Sequence, residues 1–147
     1  MALFSQFNIC ASGMTAQRLR TDVISENIAN VNTTRTANGK PYVRKEVVLA
    51  EKGRVASFNS VFQAATSGVA GNGVKAVSIQ NDTESEMSLV YDPSHPDADE
   101  NGYVTYPNVN IVQEMTDLID ATRSYEANVT AFNAGKNMAS KGLEVGK

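Results

Sequence analysis

The residues best suited to chemistry lie in the short acidic segment 97–102, which reads D-A-D-E-N-G. This order copies the first half of an EF-hand loop, whose oxygen ligands bind Ca²⁺. The twelfth position of such a loop needs a bidentate Glu, and Asn108 stands there instead. Two prolines, Pro93 and Pro96, precede the segment, and no helix is expected before it. We therefore interpret it as an acidic turn, with calcium binding as the weaker alternative.

Other catalytic or metal-binding patterns are weak. His95 is the only histidine and Cys10 the only cysteine, so a zinc site or a catalytic triad lacks the residues it needs. Cys10 falls in an apolar series, which favours a small buried side chain over a reactive thiol. Sixteen acidic residues leave a glycosidase-like carboxylate pair open, but no motif marks two of them as members of a cleft. The sequence predicts a protein that is not an enzyme and holds no metal and no cofactor.

The length, net charge and hydrophobicity of the chain narrow the class of protein further. A length of 147 residues fits one domain, or a small domain with long helical extensions. The net charge of −3 argues against nucleic acid as a partner, because phosphate binding needs clustered positive charge. No apolar run reaches the ~18 residues of a membrane-spanning helix. The first residues also lack a basic region followed by an apolar one, so we expect no cleaved secretory signal.

Both ends of the chain carry apolar residues on an alternating spacing of four and three, and the middle does not. This spacing is the signature of a coiled coil, in which one narrow face of a long helix meets a partner helix. In the N-terminal series seven of nine positions are apolar: Leu3, Phe7, Cys10, Met14, Gln17, Thr21, Ile24, Ile28 and Val31. In the C-terminal series eight of ten are apolar: Ile111, Met115, Leu118, Thr122, Tyr125, Val129, Phe132, Lys136, Ala139 and Leu143.

These patterns predict a mainly α fold with a small β-rich insert, in which long N- and C-terminal helices pack as a coiled coil. The first helix is expected from about Ser5 to Asn30, and the last from an Asn110 cap to the glycines at 142 and 146. The predicted division is 1–32 for the N-terminal helix, 33–108 for the irregular middle and 109–147 for the C-terminal helix. Turn signals separate four short strand candidates: 42–49, 74–79, 87–91 and 103–106.

Extra apolar residues beside the two series, such as Leu19, Val112 and Ile119, leave each helix with a second apolar side. Two such sides suit a bundle or tube of several subunits, and a monomeric helical hairpin is the alternative. Charge is also divided: residues 35–54 hold six bases and two acids, and residues 82–100 hold seven acids and no Lys or Arg. We interpret the two segments as two solvated loop surfaces, with head-to-tail contact across copies as the alternative.

Specific strings then resemble a known family. Residues 12–17 and 27–33, S-G-M-T-A-Q and N-I-A-N-V-N-T, resemble the N-terminal signature of bacterial flagellar axial proteins, the rod and hook group. Residues 121–128, A-T-R-S-Y-E-A-N, together with Glu114-Met115, are similar to the C-terminal counterpart. The middle segment from 91 to 110 is similar to that of the basal-body rod proteins in particular.

The resemblance implies a structural subunit of the proximal rod of the bacterial flagellum, the drive shaft that crosses the periplasm and transmits torque in motility. It implies export through the flagellar type III apparatus without signal cleavage. Its expected partners are other copies of itself, other rod proteins, an adaptor on the MS-ring side and the export apparatus. The expected assembly interface consists of Leu3, Phe7, Met14, Ile24, Ile28, Met115, Leu118, Tyr125, Val129 and Phe132.

Three alternatives stay open from the sequence. One is a different flagellar axial protein, since several rod proteins share the terminal strings. Another is a coiled-coil adaptor, which the apolar series alone would also fit. The third, from a different class, is a hydrolytic or calcium-linked protein that acts on the cell wall.

Overall fold

A computed structural model describes residues 2–53, 62 and 72–145, with side chains of the first helix described from Ser5 onward. Among these residues a long helix at each end of the chain flanks four short strands in sequence. The predicted mainly α fold with a small β insert is therefore confirmed. The elements in chain order are α1 (Ala2–Ala29), β1 (Lys45–Glu51), β2 (Val74–Asn81), β3 (Ser88–Tyr91), β4 (Tyr103–Tyr106) and α2 (Ile111–Val145).

The helix ends agree with the sequence signals in part. Asn110 caps α2 as predicted, because its Oδ1 accepts hydrogen bonds from the backbone N–H of Val112 at 3.0 Å and of Gln113 at 3.4 Å. The predicted cap Ser5 was wrong, since α1 already begins at Ala2. Gly142 does not end α2, which continues to Val145; residue 146 lies outside the described part of the chain.

The strands form two small sheets, β1 with β2 and β3 with β4. In the second sheet the strands are antiparallel, with Ser88 opposite Tyr106 and Tyr91 opposite Tyr103. All four strand candidates are confirmed within two or three residues at each end. Their β-branched and aromatic residues, bounded by Asn-Gly turns, explain this agreement.

By contacts between its residues the chain divides into two compact units. The first unit comprises Met1–Arg18, Leu49–Val77 and Thr122–Lys147. Its described helix segments meet where α1 and α2 carry small residues. Gly13 of α1 faces Asn128 of α2 so closely that a Cβ added at Gly13 would lie 2.6 Å from the Asn128 Oδ1. A Cβ at Gly135 of α2 would likewise lie 3.2 Å from the Phe7 ring.

Beside these close approaches, two further contacts hold the first unit together. The rings of Phe7 and Phe132 lie 4.9 Å apart between centroids, which is the usual range for a favourable aromatic pair. The Ser12 hydroxyl donates to the Ile9 carbonyl at 2.7 Å and accepts the backbone N–H of Val74 at 3.1 Å. The start of β2 is therefore fastened to the middle of α1.

The second unit comprises Leu19–Val48 and Ser78–Ala121. Its buried apolar residues come from every kind of element: Val23, Ile24, Tyr42, Val104 and Ala121. Two polar side chains, Asn27 and Glu114, are buried among them. A buried carboxylate and amide need complete hydrogen bonding, so this unit depends on a polar network as well as on apolar packing.

We predict that Gly13→Ala lowers the free energy of unfolding although Ala favours helix. The helix propensity gain is about 1 kcal/mol, but the new methyl group meets Asn128, whose Nδ2 donates to the Ser124 carbonyl at 2.8 Å. We expect a net loss of about 1–2 kcal/mol in thermal unfolding followed by circular dichroism. Gly142→Ala is the matched control, because a Cβ there meets nothing within 4 Å and should stabilise. Asn128→Ala in the Gly13→Ala background should restore stability; a Gly13→Ala protein as stable as Gly142→Ala would contradict the close approach.

Candidate assembly surface and the polar network behind it

The ten residues predicted for the assembly interface fall into different environments. On α1, Ile24 is buried in the second unit, whereas Phe7, Met14 and Ile28 are half-buried. The side chain of Leu3 lies outside the described residues. On this helix, most of the predicted apolar face therefore also serves the packing of the subunit itself.

On α2 the predicted residues are more accessible. Met115 and Tyr125 are exposed, and Leu118, Val129 and Phe132 are half-buried. The buried positions of α2 are instead Glu114, Ala121 and Gly135. The predicted apolar series on α2 thus lies beside the inward face and not at its centre, since residues one position apart are separated by about 100° around a helix.

The first two turns of α2 present a continuous apolar surface to solvent. Four of its large side chains, at positions 111, 112, 115 and 119, lie within about a quarter to a third of the helix circumference. Their exposed fractions are 45% for Ile111, 75% for Val112, 54% for Met115 and 51% for Ile119. We call these four residues the α2 apolar face. Single exposed apolar residues are ordinary, but a contiguous set on one helix face indicates a contact surface.

A buried carboxylate stands on another side of the same two turns, about 100° around the helix from Met115. Glu114 is fully buried, and its Oε1 accepts from the Arg44 Nε at 2.6 Å while its Oε2 accepts from the Asn27 Nδ2 at 3.0 Å. Asn27 also donates to the Lys45 carbonyl at 2.9 Å, and its Oδ1 accepts from the Lys45 N–H at 3.0 Å. One carboxylate thus joins the end of α1, the start of β1 and the first turn of α2.

Arg44 lies at the centre of a charged cluster in this second unit. Besides Glu114 it contacts Glu46, and its guanidinium lies 3.6 Å from Asp82 and 3.9 Å from Asp117. Four carboxylates thus share one guanidinium, so negative charge is in excess in this cluster. The Arg44 side chain is mostly buried. A partly buried cluster of this kind fixes geometry, because each charge is costly unless its partners stay in place.

Asn108 connects the loop before α2 to the same cluster through hydrogen bonds. Its Oδ1 accepts from the Arg44 N–H at 2.9 Å, and its Nδ2 donates to the Asp82 carbonyl at 2.9 Å. Hydrogen bonds donated by Ser85, from its backbone and its hydroxyl, lower the pKa of Asp82. The carboxylate therefore stays ionised next to Arg44. Sequence patterns did not reveal this network, since Asn27, Arg44 and Glu114 read as ordinary polar positions.

Tyr42 completes the network from the loop before β1. It is buried, and its hydroxyl donates to the Asn27 Oδ1 at 2.9 Å. Burial, reinforced by the negative charges of Glu26 and Glu114, raises its pKa to about 12. The phenol therefore remains a neutral donor at any physiological pH.

The EF-hand-like segment uses its carboxylates within the fold. Asp97 accepts from the Thr34 hydroxyl at 2.9 Å and lies 3.5 Å from the Arg35 guanidinium. Asp99 Oδ1 accepts the backbone N–H of Asn101 at 2.9 Å and of Tyr103 at 2.8 Å. The segment is an acidic turn that anchors the start of β4. Among the described residues, no three His, Cys, Asp or Glu side chains are grouped as a metal site requires.

Head-to-tail charge pairing between copies stays a prediction, and the structure shows which of these charges pair within one subunit. Arg35 pairs with Asp97, Arg44 joins the Glu114 cluster, and Lys45 lies 2.5 Å from Glu26. Half of the six bases in the basic segment therefore already have acidic partners within one subunit. Among the described residues, five of the seven acids in the acidic segment have no ion-pair partner.

Comparisons with known proteins give the class of the protein. A family model described as "Flagella basal body rod protein" matches residues 7–35, which cover most of α1 and the turn after it. A second one, "Flagellar basal body rod FlgEFG protein C-terminal", matches residues 100–145, which cover β4 and α2. Both matches fall on the elements that carry the terminal strings, so the chain is of the flagellar rod class. In the described residues, no helix is long and apolar enough to span a membrane.

Full-length relatives give the particular family. The chain is 53% identical to the flagellar basal-body rod protein FlgC of Bacillus subtilis (strain 168), over 100% of both chains. It is 46% identical to FlgC of Borreliella burgdorferi, over 99% of this chain and 98% of the relative, and 38% identical to FlgC of Salmonella typhimurium over the whole length of both. The chain belongs to the FlgC family of flagellar basal-body rod proteins. It is thus a structural subunit of the basal-body rod, not an enzyme, and it assembles with other rod components.

We predict that Arg44→Ala strongly destabilises the protein, because it leaves the buried Glu114 carboxylate without its cation. Loss of one partner of a buried pair costs about 3–5 kcal/mol, measured by chemical denaturation. The matched control is Lys141→Ala, which removes the exposed Lys141–Glu144 pair of α2 and should leave the unfolding midpoint unchanged. Equal midpoints for Arg44→Ala and Lys141→Ala would show that the cluster is not structural.

The raised pKa of Tyr42 predicts a loss of stability in alkaline solution. Between pH 10 and about 12 the unfolded chain has lost the Tyr42 proton and the folded chain retains it. Because the folded state then binds more protons, the free energy of unfolding falls as the pH rises through this range. A phenolate absorbance titration should show one of the five tyrosines ionising late, and Tyr42→Phe should remove that step. If Tyr42→Phe lowers the absorbance change by the same fraction at every pH, the assignment is contradicted.

Proposed function

We propose that the protein is a subunit of the proximal rod that assembles through its terminal helices and transmits torque along the drive shaft. The observation that supports this most is the α2 apolar face, which is solvent-exposed in the single subunit. The names of the relatives support a basal-body rod subunit, and the helix surface suggests how such a subunit would join its neighbours.

The energetic argument concerns the apolar area left in water. Full burial of one large apolar side chain contributes roughly 1.5–3 kcal/mol, and the four residues of the α2 apolar face are each about half-exposed or more. Covering them against a neighbour would add on the order of 3–6 kcal/mol per subunit before ordering costs. Since each subunit of a tube meets several neighbours, modest contacts of this size add up to a stable assembly.

The proposed interface keeps the ten residues predicted from the sequence, but these residues have different roles in it. Met115 and Tyr125 offer exposed apolar surface, and the half-buried residues Met14, Ile28, Leu118 and Val129 offer part of theirs. Ile24 and the ring pair of Phe7 and Phe132 hold the subunit together and so support the interface from behind. Leu3, whose side chain lies outside the described residues, stays part of the proposed interface.

The proposal extends to partners and location. Segments 1–32 and 109–147 would form the helical inner part of the rod, and 33–108 would lie outside it. The neighbours would be other copies, other rod proteins and an adaptor on the MS-ring side. The rod would cross the periplasm, and the subunit would reach it through the type III export apparatus without a cleaved signal.

We predict that Met115→Asp combined with Tyr125→Asp abolishes rod assembly and motility. Both side chains are exposed, so the subunit should fold while its contact surface acquires buried charge in the assembly. The measurement is swimming in soft agar and the yield of purified basal bodies, in cells that carry only the variant gene. Val77→Asp, a charge placed at a comparably exposed apolar residue of β2, is the matched control and should remain motile.

Two readouts separate failure to assemble from failure to fold. Circular dichroism of the purified variants should match the wild type, and immunoblots should show normal cellular amounts. Leu118→Asp with Val129→Asp should also abolish assembly, with some loss of stability because both residues are half-buried. Motile cells carrying Met115→Asp and Tyr125→Asp at normal abundance would overturn the proposed interface.

A further inference from the structure

The outer strand of the second sheet is exposed along its whole length. All four residues of β3 are exposed, with accessible fractions of 66% for Leu89, 44% for Val90 and 64% for Tyr91. Its partner β4 lies against the interior, because Val104 is fully buried. An outer strand with apolar side chains and no Lys or Pro is unusual, since natural sheets block such edges against strand addition.

The hydrogen-bond pattern shows which backbone groups of β3 are free. The Asp92 N–H donates to the Gly102 carbonyl at 2.9 Å, and this pair continues the antiparallel register that places Val90 opposite Val104. Hydrogen-bonded and non-hydrogen-bonded pairs alternate along an antiparallel ladder. Residues 88, 90 and 92 therefore bond to β4, whereas Leu89 and Tyr91 direct their N–H and C=O groups to the outer edge. Among the described residues no third strand covers this edge.

The side chains on this edge form an aromatic strip. Leu89 and Tyr91 point to the same face of the sheet because they are two residues apart. The Tyr91 ring meets the Tyr103 ring of β4 edge-on, with centroids 5.3 Å apart, and Tyr103 is itself 45% exposed. Exposed tyrosine faces attract the cations of Lys and Arg.

Acidic residues without ion-pair partners lie close to the strip in sequence. Of the seven acids between 82 and 100, Asp82 lies near Arg44 and Asp97 near Arg35. The remaining five have no ion-pair partner among the described residues: Glu84, Glu86, Asp92, Asp99 and Glu100. Like charges gathered on one side of a surface steer an oppositely charged partner toward it.

We propose that the free edge of β3 accepts an extended, Lys- and Arg-rich segment of another protein as an added strand. The added strand would bond to the outward backbone groups of Leu89 and Tyr91, and its cations would meet the Tyr rings and nearby carboxylates that have no ion-pair partner. Charge complementarity favours a different protein over a second copy. In this chain's own basic segment, Arg35, Arg44 and Lys45 are already paired within the subunit.

The proposal goes beyond assembly through the helices and does not depend on it. It concerns a surface of the middle region, and β3 shares no residue with the α2 apolar face. Variants of β3 are therefore expected to leave helix-mediated assembly intact, and the two proposals stand or fall separately.

The test uses the full-length chain labelled with ¹⁵N and a short blocked peptide of alternating lysine and valine, about six residues long. We expect micromolar binding in which the amide signals of Leu89 and Tyr91 move and become protected from exchange with solvent. The affinity should fall by about tenfold between ~0.05 and ~0.5 M salt, as screening of the carboxylates requires. A peptide with glutamate in place of lysine should not bind.

Two substitutions at one position separate strand addition from simple charge attraction. Leu89→Pro removes the outward N–H without removing a bond to β4, a position where an edge strand tolerates proline, and should weaken binding at least tenfold. Leu89→Ala keeps the N–H and should retain binding within about threefold. Far-ultraviolet circular dichroism checks that both variants fold. If Leu89→Pro does not fold, the same test is made with Tyr91→Pro.

Three outcomes would overturn the proposal. The first is binding of the lysine–valine peptide to Leu89→Pro as tight as to the wild type, which would mean non-specific attraction. The second is self-association in sedimentation that Leu89→Pro abolishes, with no peptide binding, which would make a second copy the occupant. The third is a shift of the Tyr91 and Tyr103 signals by a peptidoglycan fragment without amide protection, which would make the strip a glycan surface.

Discussion

The buried carboxylate of Glu114 is the interaction on which the second unit of this subunit depends. A carboxylate removed from water is costly unless its oxygens are satisfied, and here Arg44 and Asn27 each satisfy one of them. Those two residues lie on segments that precede Glu114 by 70 and 87 positions. One charged group therefore requires the end of α1, the start of β1 and the first turn of α2 to stay together, while another side of that turn presents apolar side chains to solvent.

This arrangement reverses the usual distribution of residues. The inward positions of α2 carry Glu114, Ala121 and Gly135, and large apolar residues such as Val112 and Met115 face outward. A subunit that buried its apolar residues would be stable alone and would gain little free energy from polymerising. Polar and small residues at the inward positions of α2 allow close packing and hydrogen bonding, and leave apolar area on this helix exposed to solvent.

Periodicity and turn residues were sufficient to predict the long helices and the four strands. The 4,3 spacing identified α1 and α2, and Asn110 was identified as a cap because its side chain and position suit one. What periodicity did not predict is which side of α2 faces inward. The apolar series suggested one containing Met115, whereas Glu114 is the buried residue. A pattern of apolar residues shows where a contact surface lies but does not say whether the contact is made within the subunit or between subunits. The partners of Glu114 also lie far away in sequence, and no local pattern connects them.

The close approach of Gly13 and Asn128 has a mechanical consequence for a shaft that carries load. The Asn128 side chain fits against a position where α1 has no side chain, and Phe7 does the same at Gly135 of the opposing helix. Gly13 and Phe7 are six positions apart and their partners seven. If one helix slid along the other by a single residue, both recesses would be occupied by the wrong groups, since each step also turns the helix by about 100°. The first unit therefore resists axial slippage of one helix along the other at two points, Gly13 with Asn128 and Gly135 with Phe7, and needs no covalent link for this.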